Sequence, residues 1–407
     1  MRVCFITANY PPETWGGTEQ LVVALARELR AAGAEVVAIS GSDVVHQGDD
    51  VCEEEHDGVS ITRLFKKSDE QDVDGFVRPR LLAIIRDRLT DLRPDVVHVH
   101  SFAGLGLGLG RVCEDLGIPV ILTFHDLWST CARYFRLPEG GVTCPTGIDR
   151  TPCVTCVNVA LQTDPSHVAK SLSDRDDLVR ADVASAGVLT TPSHTAARFV
   201  RDCLPFEGDI EVIPHGLLHA VAGMHKAAIP VAGEPLRIGT FGGLVPEKGL
   251  RELVQACGDL VAAGQKCELH IAGRWYDDSF AREISLQAKD FGLRLVDHGR
   301  FTPSDRHPAR NLHLAVFPSK CQETYGLVVD EALAHRVPVV VSDCGALAER
   351  SKTPGVVVTS LEALAEVLAE LVASPQRLAE LRDAIPEELP TITQSAQRHL
   401  DIYRRMR

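Results

Sequence analysis

Short apolar runs of four to six residues alternate along this chain with longer stretches in which apolar positions recur every three or four residues. The runs at 3–7, 36–40, 59–64, 95–100, 119–124, 187–191 and 211–214 read as strands, several of them apolar throughout, as in a sheet buried on both faces. Helical periodicity covers 18–32, where Leu21, Val22, Leu25, Ala26 and Leu29 share one face and Gly33 ends the run. It returns at 80–92, 172–181 and 195–202, the last with Ser193 as its predicted N-cap. From 236 the same grammar restarts. Strands are predicted at 236–241, 268–273, 293–297, 314–318, 339–341 and 355–359, and helices at 250–263, 361–372, 375–385 and 393–407.

Strand–helix–strand repetition predicts parallel sheets with right-handed crossovers. The fold class is therefore α/β, with two tandem doubly wound Rossmann-like domains. Residues 1–216 form the first, 217–235 a linker that loses periodicity, and 236–385 the second. The polar, acidic stretch 41–57 reads as a surface loop, and the charged stretch 66–75 as a mobile one.

Composition narrows the function classes. A net charge of −14 over 407 residues argues against a nucleic-acid binder and against strong electrostatic attachment to anionic lipid. No apolar run approaches the roughly 18 residues of a membrane span. The first residues read as a strand rather than a signal segment, broken by Pro11-Pro12. Twelve cysteines in a chain with these features imply reduced thiols and a cytoplasmic protein.

The loops at predicted strand ends hold the candidate chemistry. Gly16 and Gly17 lie between the first strand and helix, where a ligand could approach the backbone closely; a simple tight turn explains them equally. Residues 104–110 alternate Gly and Leu but lack the G-x-G-x-x-G spacing of dinucleotide folds, so they read as a helix-packing segment. His125 stands just past the strand at 119–124. A lone histidine is more often structural, but doubly wound sheets place ligands at that end. Cys131, Cys144, Cys153 and Cys156 follow, the last two as a CxxC pair able to chelate one ion. Two readings stand for this Gly-, Pro- and Thr-rich insert at 131–156: a structural zinc, or free thiols in an ordered loop.

The stretch from Cys321 to Glu349 reads strand end, loop, helix, strand. Glu323 and Glu331 flank Thr324, Tyr325, Gly326 and Leu327. A helix start beside a glycine offers free N–H groups and a positive dipole end, which suits an anion such as a diphosphate. The two carboxylates cannot bind that anion but can accept hydrogen bonds from hydroxyls on either side of it. Hydroxyl, diphosphate, hydroxyl describes a nucleotide sugar.

Together these residues resemble glycosyltransferase family 4, retaining enzymes of the GT-B fold, over nearly the whole chain. The strongest match is E-x7-E, Glu323 to Glu331, within E-T-Y-G-L-V-V-D-E-A. Supporting pieces are P-P-E-T-W-G-G-T-E, P-D-V-V-H-V-H, T-F-H-D, V-I-P-H-G and G-G-L-V-P-E-K-G. The resemblance implies that Glu323 holds hydroxyls of the transferred sugar and Glu331 the ribose. It implies that N–H groups around Thr324 to Leu327 receive diphosphate or sugar, and that Lys248 pairs with the diphosphate. Gly16 and Gly17 would admit phosphates or acceptor, and His125 would contact the donor sugar near the reacting carbon. The last helix, 386–407, would cross back onto the acceptor-side domain 1–216, and the site would lie in the cleft between facing domains. Many relatives carry Arg where Gly243 stands and Asn where His215 stands. Arg274 is the candidate to replace the missing cation.

The implied function is retaining transfer from a nucleoside diphosphate sugar to an acceptor hydroxyl on a glycan, a lipid-linked molecule or a small metabolite. No cofactor is required for catalysis, any zinc being structural, and a peripheral membrane contact stays open. Two other readings compete: a nucleotide-sugar epimerase on the same scaffold, and a catalytically silent sugar-nucleotide binder, suggested by Gly243.

Overall fold

The computed structural model describes residues 1–42, 44, 51–66, 76–138, 144, 147–219, 228–231 and 233–407, without the side chains of 160 and 161. The predicted mobile stretch 66–75 lies, apart from Lys66, outside the described residues, as does much of the predicted linker. The chain divides into two compact units: Met1–Leu218 with Thr391–Arg407, and His219–Pro390.

In the first unit the order is β1 (Arg2–Thr7), α1 (Gly17–Ala31), β2 (Glu35–Ser42), β3 (Val51–His56), β4 (Val59–Phe65), α2 (Pro79–Leu92), β5 (Val96–Val99), α3 (Leu109–Asp115), β6 (Val120–Thr123), α4 (Thr151–Leu161), α5 (Pro165–Ala184), β7 (Val188–Thr191), α6 (His194–Cys203) and β8 (Ile210–Val212). The sheet runs β3-β4-β2-β1-β5-β6-β7-β8, with every pair parallel except β3 on β4. Successive strands spread outward in both directions from β1 and β5. The topological switch point therefore lies between them.

The second unit contains β9 (Leu236–Leu244), α7 (Leu250–Ala262), β10 (Cys267–Trp275), α8 (Asp278–Asp290), β11 (Arg294–Asp297), β12 (Leu314–Phe317), α9 (Leu327–Ala334), β13 (Val339–Ser342), β14 (Val356–Thr359), α10 (Leu364–Ala373) and α11 (Pro375–Ala384). Its all-parallel order is β11-β10-β9-β12-β13-β14, with the switch point between β9 and β12. The last helix, α12 (Ile392–Met406), belongs to the first unit and packs on α1, anchored by buried Leu400, Ile402 and Tyr403.

β1 and β13 are almost wholly buried, which explains their unbroken apolar runs. The two-fold α/β architecture is as expected, with two local corrections. Within the supposed loop 41–57, residues 51–56 form β3, an antiparallel edge strand. Its acidic residues face partners there: Glu54 accepts from Arg63 Nε at 2.8 Å, and Glu53 pairs with Arg88 at 2.9 Å. Charge on an edge strand also blunts pairing with another chain. The cysteine insert is not loop throughout, since Thr151–Leu161 is helical, with proline in its first turn. No helix among the described residues is long and apolar enough to cross a membrane.

Candidate donor-binding and catalytic site

In the second unit, two loops leave the sheet on either side of its switch point. One follows β9 through a 3-10 turn at Pro246–Lys248. The other follows β12 from Pro318 to Gly326. They are laced together: the Lys320 and Cys321 N–H groups donate to the Glu247 carbonyl at 2.9 and 3.3 Å. Gly249, at φ +76°, presses so closely on the second loop that a Cβ would sit 1.8 Å from the Pro318 carbonyl oxygen. This lacing brings Lys248 Nζ onto Glu323 Oε1 as an ion pair. Ser319 Oγ donates to the same carboxylate at 2.6 Å.

Electrostatics keep both partners charged. Burial opposes the Lys248 ammonium, but Glu323, with Cys321 and Glu247 adding to it, lifts its pKa above the usual lysine range. Burial likewise opposes the Glu323 carboxylate, and Lys248 with Ser319 pulls its pKa below the usual glutamate range.

Directly after Glu323 the chain turns into α9. Gly326, at φ +86°, is its N-cap, and no side chain caps it. Leu327 opens the helix, and Glu331 is its fifth residue, about one turn in. The turn is held from below. Ala346 N–H donates to the Glu323 carbonyl at 2.8 Å, and the Arg350 guanidinium lies 4.7 Å over the Tyr325 ring while bonding Asp330 at 2.9 and 3.2 Å. Thr324 and Leu327 are half-buried beside it. Glu331 Oε2 stands 3.5 Å from His307 Nε2. Gly243 and Arg274 are register neighbours on β9 and β10. Gly243 is exposed, and the Arg274 guanidinium stacks 4.7 Å over the Tyr276 ring.

In the first unit, Gly16 caps α1 with ordinary extended backbone, so its conformation does not demand glycine; a Cβ there would meet only the end of the Glu19 side chain. The preceding loop is fixed by Arg63, which is wholly buried. Its Nη1 and Nη2 donate to the Tyr10 and Pro11 carbonyls, each at 2.7 Å. His125 lies past the end of β6, and its Nε2 shares a hydrogen bond with His100 Nδ1 at 2.9 Å. The His215 ring stands 5.2 Å from it. Burial, with a contribution from His399, lowers the His125 pKa to about 3, so the ring is neutral near pH 7. The array continues inward: the His98 ring lies 3.8 Å from that of His100, tilted by 34°, and His98 Nδ1 meets the Tyr403 hydroxyl at 2.6 Å.

Arg63, His100, Tyr403 and His399 escaped the sequence reading because each acts through partners distant in the chain, and Ser319 because a lone serine four residues before Glu323 carries no signal of its own. The second histidine of P-D-V-V-H-V-H was the available signal for His100. The glycine run at 104–110 wraps the Asp182 carboxylate of α5, which accepts from the Gly108 and Gly110 N–H groups, both at 2.7 Å. Its role is helix packing, as read from its spacing. Among the described residues no group of three or more His, Cys, Asp or Glu side chains is arranged to hold a metal ion.

Residues 15–218 match the profile described as Glycosyltransferase Family 4, and residues 235–374 that of Glycosyl transferases group 1. The chain is 24% identical to a GDP-mannose-dependent alpha-mannosyltransferase of Mycolicibacterium smegmatis, over 85% of this chain and 80% of that one. It is 34% identical to a lipopolysaccharide core biosynthesis mannosyltransferase of Rhizobium leguminosarum bv. viciae, over 40% of this chain and 50% of that one. Among solved structures it is similar to Anabaena HepE in complex with UDP and glucose, at TM-score 0.67 and 15% identity over the full length of both. It is also similar to an E. coli trehalose-6-phosphate protein bound with UDP-2-fluoro glucose, at TM-score 0.66 and 14% identity over 98% of each chain. The chain therefore belongs to glycosyltransferase family 4 and is a glycosyltransferase of the GT-B fold.

Proposed function

We propose that this enzyme transfers a hexosyl group from a nucleoside diphosphate sugar to an acceptor hydroxyl, with retention at the anomeric carbon. The observation that carries this reading is the Lys248–Glu323 pair at the switch point of the second unit, set against the uncapped N-terminus of α9. Anion-stabilising groups and a hydroxyl-binding carboxylate lie side by side there, as a diphosphate joined to a sugar requires.

Glu323 is assigned to the sugar hydroxyls and Glu331 to the ribose. The N–H groups from Thr324 to Leu327, with Lys248 and Arg274, are assigned to the diphosphate. As the bond from the anomeric carbon to the phosphate oxygen breaks, these groups hold the charge gathering on the leaving group. The acceptor oxygen attacks the same face, and the departing phosphate oxygen takes its proton. No metal ion takes part in this step, because the lysine and the helix dipole carry its electrostatic role. His125, neutral near pH 7, is assigned to hydrogen bonding at the sugar rather than to charge compensation. Gly16 and Gly17 leave room for phosphate or acceptor.

The relatives and structures named above make GDP-mannose the first donor to try, followed by UDP-sugars. The acceptor class is a glycan end, a lipid-linked molecule or a small metabolite, and the working compartment is the cytoplasm. NMR of the product's anomeric configuration, with and without EDTA, tests the reading. An α-linked product from an α-donor at unchanged rate supports it. Inversion, or activity lost to the chelator and restored by added magnesium or manganese, overturns it. Interconversion of a donor supplied without acceptor would assign an epimerase instead.

A further inference from the structure

The four cysteines of the insert gather in the first unit. Cys131, Cys144, Cys153 and Cys156 all line one cavity of about 520 Å³. Cys131 sits in the turn after β6, its N–H donating to the Leu127 carbonyl at 2.8 Å. Cys153 and Cys156, three apart in the first turns of α4, share a helix face. All four are half-buried, and none is in a disulfide.

The charge around them is unbalanced. Among the described residues that line the same cavity, Arg133, Arg136, Arg150 and Arg175 stand against one carboxylate, that of Asp176. Arg175 is 1% exposed. Both it and Arg150 bond Asp176, at 3.1 and 2.5 Å. Arg175 Nε and Nη2 and Arg150 Nη2 still meet no acceptor among the described residues. Buried cations without counter-charge are costly, and neutral thiols do not supply it. Four thiolates around a divalent ion carry two negative charges. Arg133 Nη1 already points at Cys156 Sγ from 3.4 Å, the outer contact such a centre uses.

We propose that Cys131, Cys144, Cys153 and Cys156 close on one zinc ion that staples the insert. All four line one cavity but do not form a ready-made metal cluster among the described residues, so binding the ion requires the four sulfurs to draw together. Each thiol releases its proton to solvent as its sulfur binds the ion, and no electron is transferred. A four-sulfur shell leaves no open position, so the ion is structural.

Elemental analysis of the full chain, purified without a polyhistidine tag, tests this. About one zinc per chain is expected, lost in the Cys153→Ser, Cys156→Ser double variant. The cobalt-substituted protein should show the thiolate-to-metal charge-transfer bands of tetrahedral sulfur coordination. If the variant fails to fold, the wild-type metal content and the cobalt spectrum decide alone. Less than about half an equivalent of zinc, iron with sulfide in its place, or a disulfide joining any two of the four overturns the proposal.

Discussion

Lys248 and Glu323 form an ion pair at the point where the second sheet reverses its strand order, with Ser319 bonded to the same carboxylate. The two groups assigned to diphosphate and sugar are therefore not independent. Each holds the other in place before a donor arrives. Lys248→Ala and Glu323→Ala should each lower kcat by about 10²–10³ while leaving the fold intact. The double variant should lose far less than the product of the two, because either single change already breaks the unit. Steady-state kinetics on the cycle, with circular dichroism as the folding control, measures this coupling. Full additivity would show that the pair does not act as one.

Gly249 sets that geometry. An alanine there would force a β-carbon onto the Pro318 carbonyl in left-handed backbone. Gly249→Ala should cost about 3 kcal/mol of stability and loosen the two loops. Denaturant unfolding combined with donor affinity checks both effects. Gly33, at φ +87° with nothing within 4 Å of a Cβ, is the comparison site for backbone strain alone.

Arg274 lies one strand across in register from Gly243. Arg274→Ala should raise the donor KM about tenfold with little change in kcat, as for a contact made equally in ground and transition states. A Gly243→Arg change has ordinary contact distance at its Cβ, 3.6 Å from Tyr276, so Arg274→Ala combined with Gly243→Arg should recover affinity. Failure of that rescue would leave Arg274 outside the site.

Acid should weaken the first unit. His399, buried against His98, has its pKa lowered by burial to about 4, below the roughly 6.5 of an unfolded histidine. Between those values the unfolded chain binds the extra proton, so stability falls as pH drops from about 6.5 to about 4. At pH 5 the cost from this residue is about 2 kcal/mol. His98, His100 and His125 are shifted in the same direction, chiefly by burial. Denaturant melts at pH 7.5 and 5 should show the loss. His399→Gln should reduce the slope by about one proton.

The parts of this site readable in the sequence were local. Glu323 to Glu331 is a loop and a helix start, and the apolar runs are buried strands. Contacts between distant segments were not readable. Lys248 to Glu323 spans 75 positions, Arg63 to Tyr10 spans 53, and His98 to Tyr403 spans 305. β3 was missed because its glutamates suggest a solvated loop, whereas on a sheet edge they meet arginines. α8 carried a usable signal: Asp277 caps it, and Phe280, Ile284 and Ala288 recur at helical spacing on its buried face.

Nucleoside diphosphate release from a panel of donors, with and without candidate acceptors, for the wild-type enzyme and Lys248→Ala, tests the central claim most directly. One donor class should give acceptor-dependent release in the wild type, with the variant slower by at least about a hundredfold at saturating donor. Release at the parent rate from Lys248→Ala would remove the lysine, and with it the proposed diphosphate site.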